Sequence, residues 1–301
     1  MFSLKLEGSE IRLEVVPVES LLLHEETFPH LVNSLTLEFK NWANLQNPII
    51  VDEKHIVLDG NHRAYVFKKL KFRYISVCKI DYFNENIKLR YWFRLLEKVK
   101  GLERIKRIIK EMNGAFRRVH SKETLVKFLE ENKLTFGIQQ GNFFATISFP
   151  RDTVHDAVSA YRVLGGIQGK LLLEGMGLQY IPCQFAHDGK FCSQLRDDEI
   201  VVWTPHITKQ MVVEAASRGT LFAPRTTRHI IHPRPLNVNV PTYWFKEDIS
   251  LEAINERFSK FLEAKHMRRF GPGQVINGRY YGEEVCIFYD KPHKDTEKKA
   301  T

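Results

Sequence analysis

The stretch Ile56-Val57-Leu58-Asp59-Gly60-Asn61-His62-Arg63, running directly into Ala64-Tyr65-Val66-Phe67-Lys68-Lys69-Leu70, allows few local structures. An apolar run ends in an acidic residue and a glycine, and Ala64, Phe67 and Leu70 then recur at helical spacing, which predicts a strand, a tight turn and a helix. Gly60 can take a positive φ or let an anion approach the backbone. The helix start behind it offers unpaired N–H groups and the positive end of a dipole. His62 and Arg63 add donors at that end, and Asp59 can orient a metal or a hydroxyl. The same letters also spell an ordinary Asp-Gly turn with an N-cap. On the local pattern, a phosphate site and a structural turn both stay open.

Around this stretch the composition is that of a folded chain. Its 301 residues suggest roughly two domains, and 43% apolar with 27% charged residues is ordinary globular usage. No apolar run approaches the roughly 20 residues needed to cross a bilayer, and the start Met1-Phe2-Ser3-Leu4-Lys5-Leu6-Glu7 shows no secretory pattern. A cytoplasmic location is therefore expected, without a membrane. Cys78, Cys183, Cys192 and Cys286 lie far apart and form no C-x-x-C, which argues against a zinc site and a disulfide framework. The net charge of +9 favours anionic partners, from nucleotides to nucleic acids, without choosing between them. Some of the excess falls between Lys98 and Arg118, where a solvated helix face competes with a nucleic-acid patch.

Along the chain, residues 11–18 read as a strand and 29–39 as a helix, and Pro48–Val51 and His55–Leu58 read as a hairpin. Residues 74–80 return as a strand. From Ile87 to Arg94 a period of two puts Ile87, Leu89, Tyr91 and Phe93 on one face and Trp92 on the other, as a pocket wall or a surface residue. After a helix near 102–112 the composition resets at Asn113-Gly114, and a second unit starts near Val119. Ser121 is an expected N-cap, Gln139–Asn142 a turn between strands, and Asp152 the expected cap of a helix to about Leu164. Strands are expected at 178–185 and 199–203, then a helix from Thr208 to Arg218 stopped by Gly219. From Pro241 the pattern changes again: a helix opens at Ser250, Asn277-Gly278 turns a small hairpin, and 291–301 is a charged, disordered tail. The expected division is thus 1–118, 119–240 and 241–301.

A second loop concentrates polar chemistry: Pro224-Arg225-Thr226-Thr227-Arg228-His229. Hydroxyls and guanidinium forks are what anionic oxygens require, although an exposed basic loop would look the same. No G-x-x-x-x-G-K-[ST] and no kinase glycine loop occurs.

Taken together, His24-Glu25, the strand ending in Asp59-Gly60-Asn61-His62-Arg63, Trp92 and the loop from Pro224 to His229 resemble the free L-serine kinases of the ParB/sulfiredoxin superfamily, over about residues 12–240. That resemblance implies an α+β fold: a ParB/sulfiredoxin-like N-terminal catalytic domain, a second small α/β domain carrying the Thr-Thr-Arg-His loop, and a C-terminal extension. It implies Glu25 as general base on the serine hydroxyl, with Asp59 beside it at the reacting centre and as a Mg²⁺ ligand. It implies Gly60, Asn61, His62 and Arg63 at the nucleotide phosphates and Trp92 in the substrate pocket. Arg225, Thr226, Thr227, Arg228 and His229 match the second phosphate loop, with His229 also toward the substrate. The partners so implied are free L-serine and ATP or ADP, with Mg²⁺. One departure stands at Asn61, where the family more often has His; Asn keeps a donor and an acceptor but cannot be charged.

The expected activity is transfer of a phosphoryl group from ATP or ADP to free L-serine, giving O-phospho-L-serine. The alternative is a ParB-like nucleic-acid-binding protein without kinase activity, against which stands the lack of a helix-turn-helix pattern after the first domain. Sulfiredoxin chemistry needs a cysteine where Asn61 stands. The donor nucleotide, the acceptor beyond serine-like, the oligomeric state and the role of 241–301 are not decided by the sequence.

Overall fold

Alternating and wholly apolar runs supply the strands of the protein, whose computed structural model describes residues 2–6, 9–182 and 195–291. It is a mixed α/β structure, and the chain divides into two compact units. The first draws on 1–22, 28–88 and 230–301, the second on 23–27 and 89–229, so the units are not three consecutive segments cut at 118 and 240.

In the first unit a five-stranded sheet has the order β1-β2-β5-β3-β4, from β1 (Phe2–Leu6), β2 (Ser9–Pro17), β3 (Ile49–Val51), β4 (Val57–Asp59) and β5 (Tyr74–Ile80). The expected hairpin is β3 and β4, antiparallel with an irregularity between Ile50 and Val51. Its turn is closed by Asp52, whose Oδ1 accepts the N–H groups of Lys54 at 2.9 Å and Ile56 at 2.7 Å. Strand β3 runs parallel to β5. Helix α1 (Pro29–Lys40) begins on a proline, whose missing N–H costs nothing there, and α2 (Asn61–Lys69) follows β4 with one residue between.

The chain after Pro241 is more than a helix and a tail. Helix α7 (Leu251–Glu263) lies against β2 and buries Ile254, Phe258 and Leu262. Strands β14 (Arg234–Leu236), β15 (Lys265–Phe270) and β18 (Val285–Asp290) form a sheet of order β14-β18-β15. A hairpin of β16 (Gln274–Ile276) and β17 (Arg279–Tyr281) turns on Asn277 and Gly278, both at positive φ as expected. The disordered tail proposed from 291 lies outside the described residues beyond Lys291.

The second unit carries a six-stranded antiparallel sheet of order β11-β7-β12-β9-β10-β8. Its strands are β7 (Trp92–Glu97), β8 (Ala115–Val119), β9 (Phe136–Gln140), β10 (Phe143–Ser148), β11 (Gly177–Pro182) and β12 (Ile200–Trp203). The strand expected over 87–94 is broken at Tyr91: β6 (Lys88–Arg90) stops there and β7 starts at Trp92. Helices α3 (Leu102–Glu111), α4 (Lys122–Glu131), α5 (Ala157–Leu173) and α6 (Lys209–Ser217) complete the unit. Phe93, Leu95, Leu125, Leu129, Phe144, Val201 and Trp203 form a core, so the opposite face of β7 presents Trp92 and Arg94.

Ser121 caps a helix as expected, and Thr208 and Ser250 cap the helices expected to open at those residues. Asp152 does not: α5 is capped by Asp156, in a reciprocal box with Ser159. The strand expected over 178–185 is described only to Pro182, its remainder lying outside the described residues together with Cys183 and Cys192. Cys78 and Cys286 are buried free thiols, pushed by burial up to about 12 and about 11.

Candidate functional site

In the first unit β4 ends on Asp59 and α2 starts at Asn61, so Gly60 alone must reverse the chain. It sits at φ 98°, and an added Cβ would lie 2.6 Å from Ile49 Cγ2. Gly60 is the N-cap of α2, with no side chain capping that end, so Asp59 is not the cap that an Asp-Gly turn suggests. Its carboxylate instead meets two guanidiniums on Oδ2, Arg234 Nη1 at 3.0 Å and Arg63 Nη2 at 3.4 Å. Arg234 Nε also donates to Glu283 Oε1 at 2.8 Å, and both are almost fully buried. Asp59, Arg234 and Glu283 thus form a chain of charge, flanked by Arg63.

Electrostatics follow the geometry. Burial lowers the pKa of Arg63; Asp59 opposes the shift, while Arg279 and Arg234 reinforce it. For Arg234 burial acts the same way, but Asp59 and Glu283 outweigh it and the pKa is raised. Arg63 Nη1 also donates to the carbonyl oxygens of Asn47 and, at 3.5 Å, Pro48, so part of its donor set is spent on the fold. His62 Nε2 accepts the N–H of Phe28 at 3.0 Å, and its ring stacks on Phe28 at 5.9 Å. Nε2 thus serves as an acceptor for a backbone partner 34 residues away in sequence and not as a donor toward an anion. Asn61 is buried at the start of α2.

In the second unit the residues expected from sequence come together around Thr227. Its N–H and Oγ1–H both donate to Glu25 Oε1, each at 2.5 Å. Since the hydroxyl proton goes to Glu25, the 2.8 Å contact of Thr227 Oγ1 with His24 Nε2 is accepted from an Nε2–H. Glu25 is held between residues of the backbone bridge to Phe222 and is 9% exposed. Its other oxygen, Oε2, makes no hydrogen bond among the described residues. Trp92 Nε1 donates to Thr227 O at 3.0 Å. Arg225, at φ 60°, and Arg228 both lie over the Trp92 ring, at 5.0 and 5.1 Å from its centre. Trp92 therefore holds the loop that holds Glu25, besides any contact with substrate. His229 is buried edge-on to His24, ring centres 5.7 Å apart. Thr226 is fully buried with its hydroxyl donated to Ala223 O at 2.7 Å, which ties its proton to the turn.

Sequence reasoning missed Arg94, Arg234 and Glu283. A cation within the apolar run Trp92-Phe93-Arg94-Leu95-Leu96 was a visible signal for the first. Nothing local marks Glu283. Within the basic run of Lys98–Arg118, three helix cations are engaged in ion pairs: Lys106 with Glu103 at 2.6 Å, and Arg104 and Arg107 with Glu174 at 2.9 and 3.0 Å. This fits a solvated helix face better than a nucleic-acid patch.

For Mg²⁺, no cluster of three or more His, Cys, Asp or Glu exists among the described residues. A single carboxylate still suits an ion that keeps its waters and arrives with nucleotide phosphates. The carboxylate of Asp59 is of that kind, with its Oδ2 facing the guanidiniums of Arg234 and Arg63.

No protein-family model matches the chain. Over 234 residues it is 26% identical to an ATP-dependent L-serine kinase of Staphylothermus marinus, covering 75% of this chain and 88% of that one. It is 24% identical over 227 residues to a ParB-like protein of Sulfolobus acidocaldarius, covering 74% and 93%. Among solved structures, a free serine kinase carrying a glutamate-to-alanine substitution, in complex with AMP, superposes with TM-score 0.64 at 16% identity, over 78% of this chain and 94% of that one. The chain shares that α+β fold. No helix of the described residues is long and apolar enough to cross a membrane.

Proposed function

We propose that the protein is a free L-serine kinase, transferring the terminal phosphoryl group of ATP or ADP to the hydroxyl of L-serine. The carrying observation is Glu25: one carboxylate oxygen is fixed by two short hydrogen bonds from Thr227, and the other is left for a substrate proton. A base so oriented serves a reaction that needs alignment above all. The serine kinases among the relatives and the fold shared with an AMP-bound serine kinase support the reading. The ParB-like alternative rests on one of the named relatives and gives the oriented Glu25 no role.

In this reaction the serine oxygen gives its proton to Glu25 Oε2 as the new O–P bond forms. The P–O bond to the nucleotide breaks, releasing ADP from ATP or AMP from ADP. Phosphoryl transfer asks the protein mainly for positioning and charge stabilisation. Arg63 with the N-terminus of α2, and Arg225, Arg228 and His229, are assigned to the phosphates; Trp92 is assigned to the substrate side. Asp59 would hold Mg²⁺, which when bound neutralises phosphate charge. The loading of Arg63 and Thr226 with internal hydrogen bonds gives them a smaller share of phosphate contacts than the loop composition suggests.

Incubation with L-serine, Mg²⁺ and either nucleotide, followed by ³¹P NMR, should show O-phosphoserine, and Glu25→Gln should slow its formation by about 10²–10⁴-fold. Absence of product with both nucleotides, or full activity of E25Q, rejects the assignment. Chelation of Mg²⁺ should abolish turnover, and serine, threonine and glycerate offered in parallel would define the acceptor.

A further inference from the structure

Arg94 is a buried cation to which the mechanism above gives no work. It stands on β7 two residues after Trp92, hence on the same face, and is 1% exposed. Nη1 donates to Trp92 O at 3.0 Å, and the guanidinium lies 4.5 Å from the centre of the Tyr180 ring. Among the described residues Nε meets no acceptor, and Nη2 makes no hydrogen bond either. Arg63 and Arg234 are each paired with Asp59, and Arg234 with Glu283 as well. Arg94 has no such ion pair among the described residues.

A guanidinium does not lose its charge in a protein, and a buried charge without a counter-charge is unfavourable. Burial does lower the pKa of Arg94, with Tyr161, Tyr180 and Glu25 opposing and Arg225 reinforcing the shift. The side of the guanidinium left over, Nε with Nη2, is the edge that grips a carboxylate through two parallel hydrogen bonds. The opposite corner, Nη1, ties the side chain into the network of Glu25: Trp92 accepts from Arg94 Nη1 and from Thr204 through its carbonyl, donates through its indole to Thr227, and Thr227 holds Glu25. A base for a hydroxyl and an unpaired cation are thereby built into one hydrogen-bonded assembly.

We infer that Arg94 is the receptor for the substrate's carboxylate, so that the site around Glu25 selects a hydroxy amino acid over an alcohol of similar size. The inference rests on the serine-kinase reading and adds its specificity element. It explains why a charge is kept where the fold would be easier to build with an apolar side chain.

The test compares L-serine with L-serinamide, which keeps the hydroxyl and amine but lacks the negative charge, in the wild type, Arg94→Lys and Arg94→Met. The wild type should favour serine in kcat/KM by on the order of 10² or more, because a site built to pair a charged group rejects the analogue lacking it. In R94M the KM for serine should rise by about the same factor and the preference should collapse, while R94K retains part of it. A purely structural role for Arg94 would lower both substrates alike and leave their ratio unchanged, and that result overturns the inference. Should R94M fail to fold, the wild-type ratio and R94K decide: a wild type that turns over serinamide as well as serine overturns it. A wild type inert toward serine with both nucleotides rejects instead the kinase reading beneath it.

Discussion

Thr227 is the side chain on which the orientation of Glu25 depends, since its amide and hydroxyl are the two donors on Oε1. Thr227→Val keeps the β-branched shape and removes the hydroxyl. A hydrogen bond to a charged group contributes about 1.5–3 kcal/mol, so kcat should fall roughly 10- to 100-fold. Thr227→Ser should recover most of it, while nucleotide affinity stays near the wild-type value; steady-state kinetics with serine and nucleotide varied separately measures both. Equal activity of T227V and wild type would show that the amide alone suffices. At this scale the sequence spoke through residue type: a carboxylate after a histidine, two threonines beside arginines. It was silent on assignment within a pair of like residues. Thr226 and Thr227 are indistinguishable as letters, yet one hydroxyl is turned onto Ala223 and the other onto Glu25, because the choice depends on the path of the loop between residues 222 and 229. The acceptor role of His62 Nε2 was equally invisible, resting on the amide of Phe28.

Elements governed by neighbours in sequence were legible, those governed by distant packing less so. The turn from β4 into α2 is the clearest local case, because Gly60 is required twice, by its φ of 98° and by Ile49 at 2.6 Å from any Cβ. Gly60→Ala should therefore cost more than the roughly 1–2 kcal/mol of a left-handed backbone, read as a lowered urea midpoint, and should disturb Arg63, whose Nη2 lies 2.8 Å from the same point. The β3–β4 turn carries a pH effect. Burial, helped by Lys79, lowers the pKa of His55 from its ordinary 6.5, and its Nδ1 contacts Ser20 Oγ at 2.8 Å. The unfolded chain binds that proton first, so stability is lost as pH falls below the unfolded value toward the folded one. Asp52 in the same turn is shifted up by burial, which acts in the opposite sense: its carboxyl favours the folded state protonated, so its penalty grows as pH rises above 3.8. His55→Asn, which tolerates the φ of 63° at that position, should melt with less dependence on pH between about 7 and 5 than the wild type. Parallel loss in both proteins would assign the acid sensitivity elsewhere. The cap of α5 shows how a local reading goes astray: Asp152 and Asp156 both suit an N-cap, and the second wins because Ser159 completes a box with it. The break of the 87–94 strand at Tyr91 has no comparable signature in the letters.

At the scale of the molecule, the segment after Pro241 is part of the first unit's core. Phe245, Ile254, Phe258 and Phe288 are buried to 1% exposure or less. Asn255 bonds the backbone of Val15 in both directions, receiving its N–H at 2.8 Å and donating to its carbonyl at 2.9 Å, across 240 positions of sequence. Arg73 N–H donates to Phe245 O at 2.9 Å, and Tyr74 Oη–H to Ile249 O at 2.8 Å. The amphipathic pattern of α7 was readable, but nothing in it names β2 as the surface it covers, and the resemblance to serine kinases ended before it. The same segment supplies Glu283, whose carboxylate holds the arginine that holds Asp59. Three variants rank these contributions. Asn255→Ala removes two hydrogen bonds at the edge of β2 and should cost about 1–3 kcal/mol. Glu283→Ala takes a buried carboxylate away from Arg234, and breaking a buried pair costs about 3–5 kcal/mol, so it should be the less stable of the two in urea. E283A should also lower kinase activity beyond its effect on folding, measured well below its melting temperature, because Asp59 loses the brace behind Arg234. A chain ending at Val240 exposes the buried aromatic side chains of the first unit and should show no cooperative transition for that unit. If the truncated chain melts cooperatively with full kinase activity, the segment is an accessory; if E283A is both stable and active, the charge chain to Asp59 has no functional part.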